Sequence, residues 1–71
     1  MPKAKWQALA EHIRNQIKTG ELKPGDRLPS TSQLCAQHSV SAIVVRNAMI
    51  ALKEADLVEG VPGVGVFVKE R

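Results

Sequence analysis

The side chains of this 71-residue chain that could perform acid–base, nucleophilic or metal chemistry are two histidines, one cysteine and seven carboxylates. His12 and His38 lack ligand spacing with Cys35 or with the acids, so no metal site is expected. Two histidines this distant in sequence and scattered acids assemble no set of nucleophile, base and orienting acid. Gly63-Val64-Gly65 has the glycines of a phosphate-binding loop, but no helix and no Lys-Ser/Thr follows, and it reads as a turn. The expectation is a protein that is not an enzyme, with no catalytic residue, metal or cofactor. What remains is the chemistry of charge and hydrogen bonding. Ten Lys and Arg against seven Asp and Glu give a formal charge of +3, compatible with a polyanionic partner without requiring one.

Those groups must be positioned by a very small domain. Chains of this length bury only about 60% of their unfolded surface, so a single modest core is expected and no second domain fits. Apolar residues make up 44% of the chain, with Trp6 and Phe67 as the only large rings, so the core is expected to be aliphatic. The lone Cys35 excludes an internal disulfide and reads as a small core residue on a helix. No apolar run approaches a membrane span, and Met1-Pro2-Lys3-Ala4-Lys5 does not open a signal peptide, which predicts a cytoplasmic protein with no membrane partner.

Trp6, Leu9, Ala10, Ile13 and Ile17 recur at helical spacing and predict helix 1 over about 5–19, ended by Gly20 with Leu22 folding back over its end. Pro24-Gly25 predicts a turn, and Arg27-Leu28, ahead of Pro29, a short extended segment. Ser30 with Gln33 three residues on is a capping box that starts helix 2, over about 31–37. His38-Ser39-Val40 is the turn to Ser41, the N-cap of helix 3, over about 42–55, with Val45, Ala48, Met49 and Leu52 facing inward. Asp56 can take the left-handed conformation that ends it. Leu57-Val58-Glu59 and Val66-Phe67-Val68 predict two antiparallel strands joined through Pro62, Gly63 and Gly65, so that a wing occupies about 57–69.

Two capped helices joined by a short turn and followed by a hairpin define the fold class: mainly α with a small β-hairpin, a winged helix-turn-helix of three helices and a two- to three-stranded antiparallel wing. Such a unit presents its second motif helix to the major groove of DNA and its hairpin to the flanking backbone or minor groove.

The chain resembles the winged helix-turn-helix domain of GntR-type bacterial transcriptional regulators. The resemblance rests on Ile13 and Ile17, on Gly20 through Leu22, and on the run Lys23-Pro24-Gly25-Asp26-Arg27-Leu28-Pro29-Ser30. It continues through Leu34, Val40-Ser41, Val45-Arg46, Ala48, Leu52, Leu57-Val58, Gly63, Gly65 and Phe67-Val68. It implies sequence-specific binding of double-stranded DNA by a transcriptional regulator, as a repressor occupying an operator that overlaps a promoter. It departs from the family where Ser32 and Ala42 stand for Arg, Val44 for Thr, Ser39 for the Gly of the turn, and Val61 and Val64 for basic or polar wing residues.

The residues expected at DNA are Lys5, Arg27, Ser30, Thr31, Ser41, Ala42, Ile43, Val44, Arg46, Asn47, Gly63 and Gly65. Arg46 would contact guanine or phosphate and Asn47 adenine or phosphate, while Ala42, Ile43 and Val44 pack on thymine methyl groups. Lys3, Lys5, Arg27, Arg46 and Lys69 are the cations placed toward a duplex; Lys53, two turns beyond Arg46, is read as too distant for base contact. For Arg27 a local ion pair with Asp26 or Glu21 is an equal alternative. For helix 3 the alternative is an apolar protein-contact surface, joined by Val61, Val64 and Val66 of the wing, with DNA binding weakened or lost. Family members usually follow this domain with an effector-binding, dimerising one, so the chain is either an excised domain or a stand-alone regulator. A monomer or weak homodimer that pairs on an inverted-repeat operator is expected.

Overall fold

Each element of the fold begins or ends where backbone chemistry demands it. The computed structural model describes residues 3–70; Met1, Pro2 and Arg71, the last of the basic residues, lie outside them. Among the described residues the order is α1 (Lys5–Thr19), α2 (Thr31–His38), α3 (Ala42–Glu54), β1 (Val58–Val61) and β2 (Gly65–Val68). None of these helices is long and apolar enough to cross a membrane.

At the start of α2 the Ser30 hydroxyl accepts from the Gln33 N–H at 3.2 Å, and the Gln33 side chain accepts from the Ser30 N–H at 2.9 Å. Two otherwise orphaned donors are thereby satisfied reciprocally. Ser41 caps α3 through the Val44 N–H. The helix ends are closed by left-handed residues: Gly20 after α1, Ser39 after α2 and Asp56 just past α3. Ser39 holds the helix at His38, one residue past the expected end. Beyond Glu54, the Asp56 N–H returns to Lys53 O at 3.0 Å and the Leu57 N–H to Leu52 O at 3.1 Å. That closure takes up the donor of Leu57, so β1 starts at Val58 and not, as expected, at Leu57.

The hairpin pairs Val58 with Val68, Glu59 with Phe67, Gly60 with Val66 and Val61 with Gly65. Gly65 is therefore the first residue of β2, not part of the loop; the loop is Pro62-Gly63-Val64, closed by Val64 N–H to Val61 O at 3.0 Å. The segment before α2 joins the hairpin by a single bridge, Arg27 with Phe67, with Leu28 N–H donating to Val66 O and Val68 N–H to Asp26 O, both at 2.8 Å. Pro29 has no donor to extend it, so the third strand stays rudimentary. The Pro24-Gly25 turn that feeds this bridge is closed by Asp26 N–H to Lys23 O at 2.9 Å, with Gly25 at φ 87°, as a proline followed by a positive-φ residue requires.

The core lies where α1, α2, α3 and the hairpin base converge: Leu9, Ile13, Leu28, Leu34, Val45, Ala48, Leu52, Val58 and Val68. It is wholly aliphatic. Trp6, Cys35 and Met49 are half-buried against it. Helices α1 and α3 form the main packing pair, and α2 seats on α3. The wing is thus anchored at its buried Val58/Val68 end and projects its Val61–Gly65 end into solvent.

Candidate nucleic-acid interface

With Val45, Ala48 and Leu52 turned inward, helical geometry divides the rest of α3 into two stripes. Residues seven apart on an α-helix differ in direction by only about 20°. One stripe holds Ala42, Arg46 and Lys53 on the edge that carries Met49. The other holds Ile43, Asn47, Ile50 and Glu54. All seven outward residues are exposed, Ile43 the most open of the large apolar ones at 68%. Asn47 and Ile50 border a hollow of about 300 Å³ shared with Trp6 of α1 and Glu54.

Val44 is different. It is half-buried, on the edge opposite Arg46, and not exposed as expected. Three consecutive helical residues fan over about 200°, so Ala42, Ile43 and Val44 cannot form one continuous patch. Ser41, at the head of the helix, uses its hydroxyl as the cap and is itself exposed.

A narrow cleft of about 240 Å³ separates α3 from the wing on the Met49 side. It brings together Arg27, Ser30 and Thr31, with Met49 and Val45 of α3 and Gly65 and Val66 of β2. Four of the expected site residues thus meet from segments distant in sequence. Arg27 is exposed and makes no ion pair with Asp26 or Glu21; the Asp26 carboxylate instead accepts from the Lys23 N–H at 2.8 Å. The Arg27 guanidinium lies along β2 at Gly65, where a Cβ would stand 2.9 Å from Nε. Gly65 therefore serves a close approach of side chain to backbone. Gly63 is exposed at the turn of the wing, and Lys5 is exposed in the first turn of α1.

Two cations placed toward a duplex by sequence are engaged elsewhere. Lys3 bonds to Glu11, which lowers the Glu11 carboxyl below its usual range through that hydrogen bond, with Arg14 at 3.9 Å adding a smaller effect. Lys69 bonds to Asp56, and this raises the Lys69 ammonium above its usual value. Lys69 also lies at the end of β2 remote from the turn, in a cleft with Arg14, Lys18 and Leu57. Lys53, expected to be too distant along α3 for base contact, lies beside the wing: it lines a hollow of about 420 Å³ with Gly60 through Val66. Its seven-residue spacing from Arg46 was the available signal.

His12 and His38, distant in sequence, meet edge to face with ring centroids 5.1 Å apart and planes at 70°. Among the described residues no group of three or more His, Cys, Asp or Glu is arranged to hold a metal ion. On the outer side of α3 and in the cleft beside it stand the guanidinium groups of Arg46 and Arg27, the Asn47 amide and the N-terminal end of α2.

Three helices with an exposed third helix beside an antiparallel hairpin define a winged helix-turn-helix. A profile of the bacterial regulatory proteins of the gntR family matches residues 5–68. The chain belongs to that family. It is 45% identical over 65 residues to the mannosyl-D-glycerate transport/metabolism system repressor MngR of Escherichia coli, covering 92% of this chain and 27% of that protein. It is 50% identical over 54 residues to the HTH-type transcriptional regulator LutR of Bacillus subtilis, covering 76% of this chain and 25% of that protein. The chain thus spans about a quarter of the length of these relatives. Among solved structures, the DNA-binding domain of AraR in complex with operator ORR3 superposes with a TM-score of 0.92 at 29% identity, over 96% of this chain and 82% of that one.

Proposed function

We infer that residues 5–68 act as the operator-binding domain of a bacterial transcriptional repressor, with α3 in the major groove and the wing against the adjoining backbone. The observation that carries this reading is the exposed Arg46 on the edge of α3 that borders the cleft holding Arg27, Ser30 and Thr31. Donors from two segments, α3 and the stretch Arg27–Thr31, then lie on one side of the molecule. Arg46 reads a guanine edge, and Asn47 takes an adenine or a phosphate. Ala42 and Ile43 pack on thymine methyl groups, while Ser41 and Val44 hold the head of the helix in place. Arg27, Lys5 and the α2 N-terminus at Thr31, held in place by the Ser30 capping box, bind phosphates; Gly63 lets the wing approach closely, and Gly65 seats the Arg27 guanidinium beside it. The repressor relatives and the AraR domain solved on its operator support the same reading.

The domain binds as a pair on an inverted-repeat operator, associating weakly before it meets DNA in the cytoplasm. Its own core uses the inward faces of all three helices, which leaves Ile43 and Ile50 as the apolar surface through which two copies would associate weakly. The test is a fluorescence titration of the chain against a mixed pool of duplexes at 50 and 200 mM salt. Two protomers with Lys5 and Arg27 each neutralise about four phosphates, so affinity should fall on the order of 10²-fold between those concentrations. Binding indifferent to salt would overturn the reading.

A further inference from the structure

The projecting end of the wing carries no cation of its own: from Gly60 to Val66 every residue is glycine, valine or proline. The hollow those residues line nevertheless contains one ionisable group, the ammonium of Lys53 from the last turn of α3. A Cβ at Gly60 would stand 3.1 Å from Lys53 Nζ and 3.4 Å from its Cε, so the lysine lies directly across the bare backbone of β1. Gly60 has no positive φ, and its conformation does not call for glycine. What its missing side chain admits is Lys53. Among the described residues this ammonium has no ion-pair partner, whereas Lys3 and Lys69 are both neutralised.

Lys53 also shares its stripe with Arg46, offset by about 20° and displaced by about 10.5 Å along the axis. That displacement takes Lys53 away from the N-terminal, groove-reading part of α3 to the last turn beside the wing. With Arg46 at a base edge, the next anion along the stripe is the phosphate backbone bounding the groove, and it passes where the helix meets the wing. We propose that Lys53, seated over Gly60, supplies the phosphate contact of the wing, the helix lending the hairpin the charge it lacks. This rests on the DNA-binding reading above.

The experiment compares the wild-type chain with Lys53→Gln on an operator duplex and on an unrelated duplex, across a salt series. A phosphate contact is blind to sequence, so Lys53→Gln should weaken both duplexes by a similar factor, about three- to tenfold, and reduce the slope of log affinity against log salt by about 0.9 per protomer. Adding Gly60→Lys to Lys53→Gln returns a cation to the same hollow from the strand side and should restore the slope. An unchanged slope in a folded Lys53→Gln chain, confirmed by its melting curve, overturns the proposal while leaving DNA binding intact. Loss confined to the operator duplex also overturns it, because that is the mark of a base contact. Failure of the wild-type chain to bind any duplex removes the DNA-binding reading itself, and the proposal with it.

Discussion

Along the inner side of α3, Val45, Ala48 and Leu52 are almost fully buried against α1, α2 and the hairpin base; along the outer side, Ile43, Arg46, Asn47 and Ile50 are open to solvent. The inner set is what the core of any three-helix unit of this size requires, so it carries information about the fold and little about function. The outer set is not required by the core. An isoleucine 68% exposed and another 46% exposed add an apolar surface in water, and the core leaves the more open of them, Ile43, free to vary. Their presence is therefore informative about the partner. In the proposed DNA-bound arrangement, Ile43 would meet thymine methyl groups of the groove while Arg46 meets a base edge.

The contrast breaks most visibly at Leu52. It is 2% exposed at the centre of the core, and Leu52→Ala should cost about 2–5 kcal/mol. That is a large share of the stability of a domain this small, so thermal melting should shift down by ten degrees or more, or lose its cooperative transition altogether. DNA affinity would then fall only as the folded fraction falls. An unchanged melting curve would mean that Leu52 does not face the core and that α3 is rotated about its axis.

Arg46→Ala should produce the opposite pattern. An exposed arginine contributes little to folding, so the melting temperature should stay within a degree or two. Specific DNA affinity should drop about tenfold or more, the equivalent of roughly 1–3 kcal/mol for a charge-assisted base contact. Retained affinity with a retained fold would move the reading element off α3. A lowered melting temperature would blur the distinction between the two faces.

How far these faces were legible in the sequence depends on whether the determining interaction is local. The starts of α2 and α3 were legible because Ser30, Gln33 and Ser41 act on backbone donors within three residues. The inward positions Val45, Ala48 and Leu52 followed from the helical period alone. Leu57 was misread as strand because its N–H closes the end of α3, a competition that apolar character does not reveal. Val44 was read as exposed because the width of the buried face depends on what packs beside it. Arg27 at Gly65, Lys53 at Gly60 and the meeting of His12 with His38 are contacts between segments far apart in sequence, and only the packing of α1, α2, α3 and the hairpin creates them.

The smallest expected effect lies at the turn that sets α3 on α2 and belongs to neither face. Three helix ends here use a left-handed residue: Gly20, Ser39 and Asp56. Gly20 adopts it without steric cost, and Asp56 has an ion pair with Lys69 in the same neighbourhood. Ser39, at φ 53° and ψ 46°, has a Cβ crowded against its own backbone and no side-chain hydrogen bond among the described residues. A left-handed non-glycine residue costs about 1–2 kcal/mol, and the extra unfolded-state freedom of glycine returns part of any gain. Ser39→Gly should therefore stabilise the domain by about 0.5–1 kcal/mol and raise the melting temperature by several degrees. Because the substitution alters neither the buried leucines nor Arg46, operator affinity measured well below the transition should not change. A lower melting temperature would show that the Ser39 hydroxyl holds the turn through a contact of its own. A gain in stability accompanied by lost affinity would show that the angle between α2 and α3 is set at this residue and that DNA reads it.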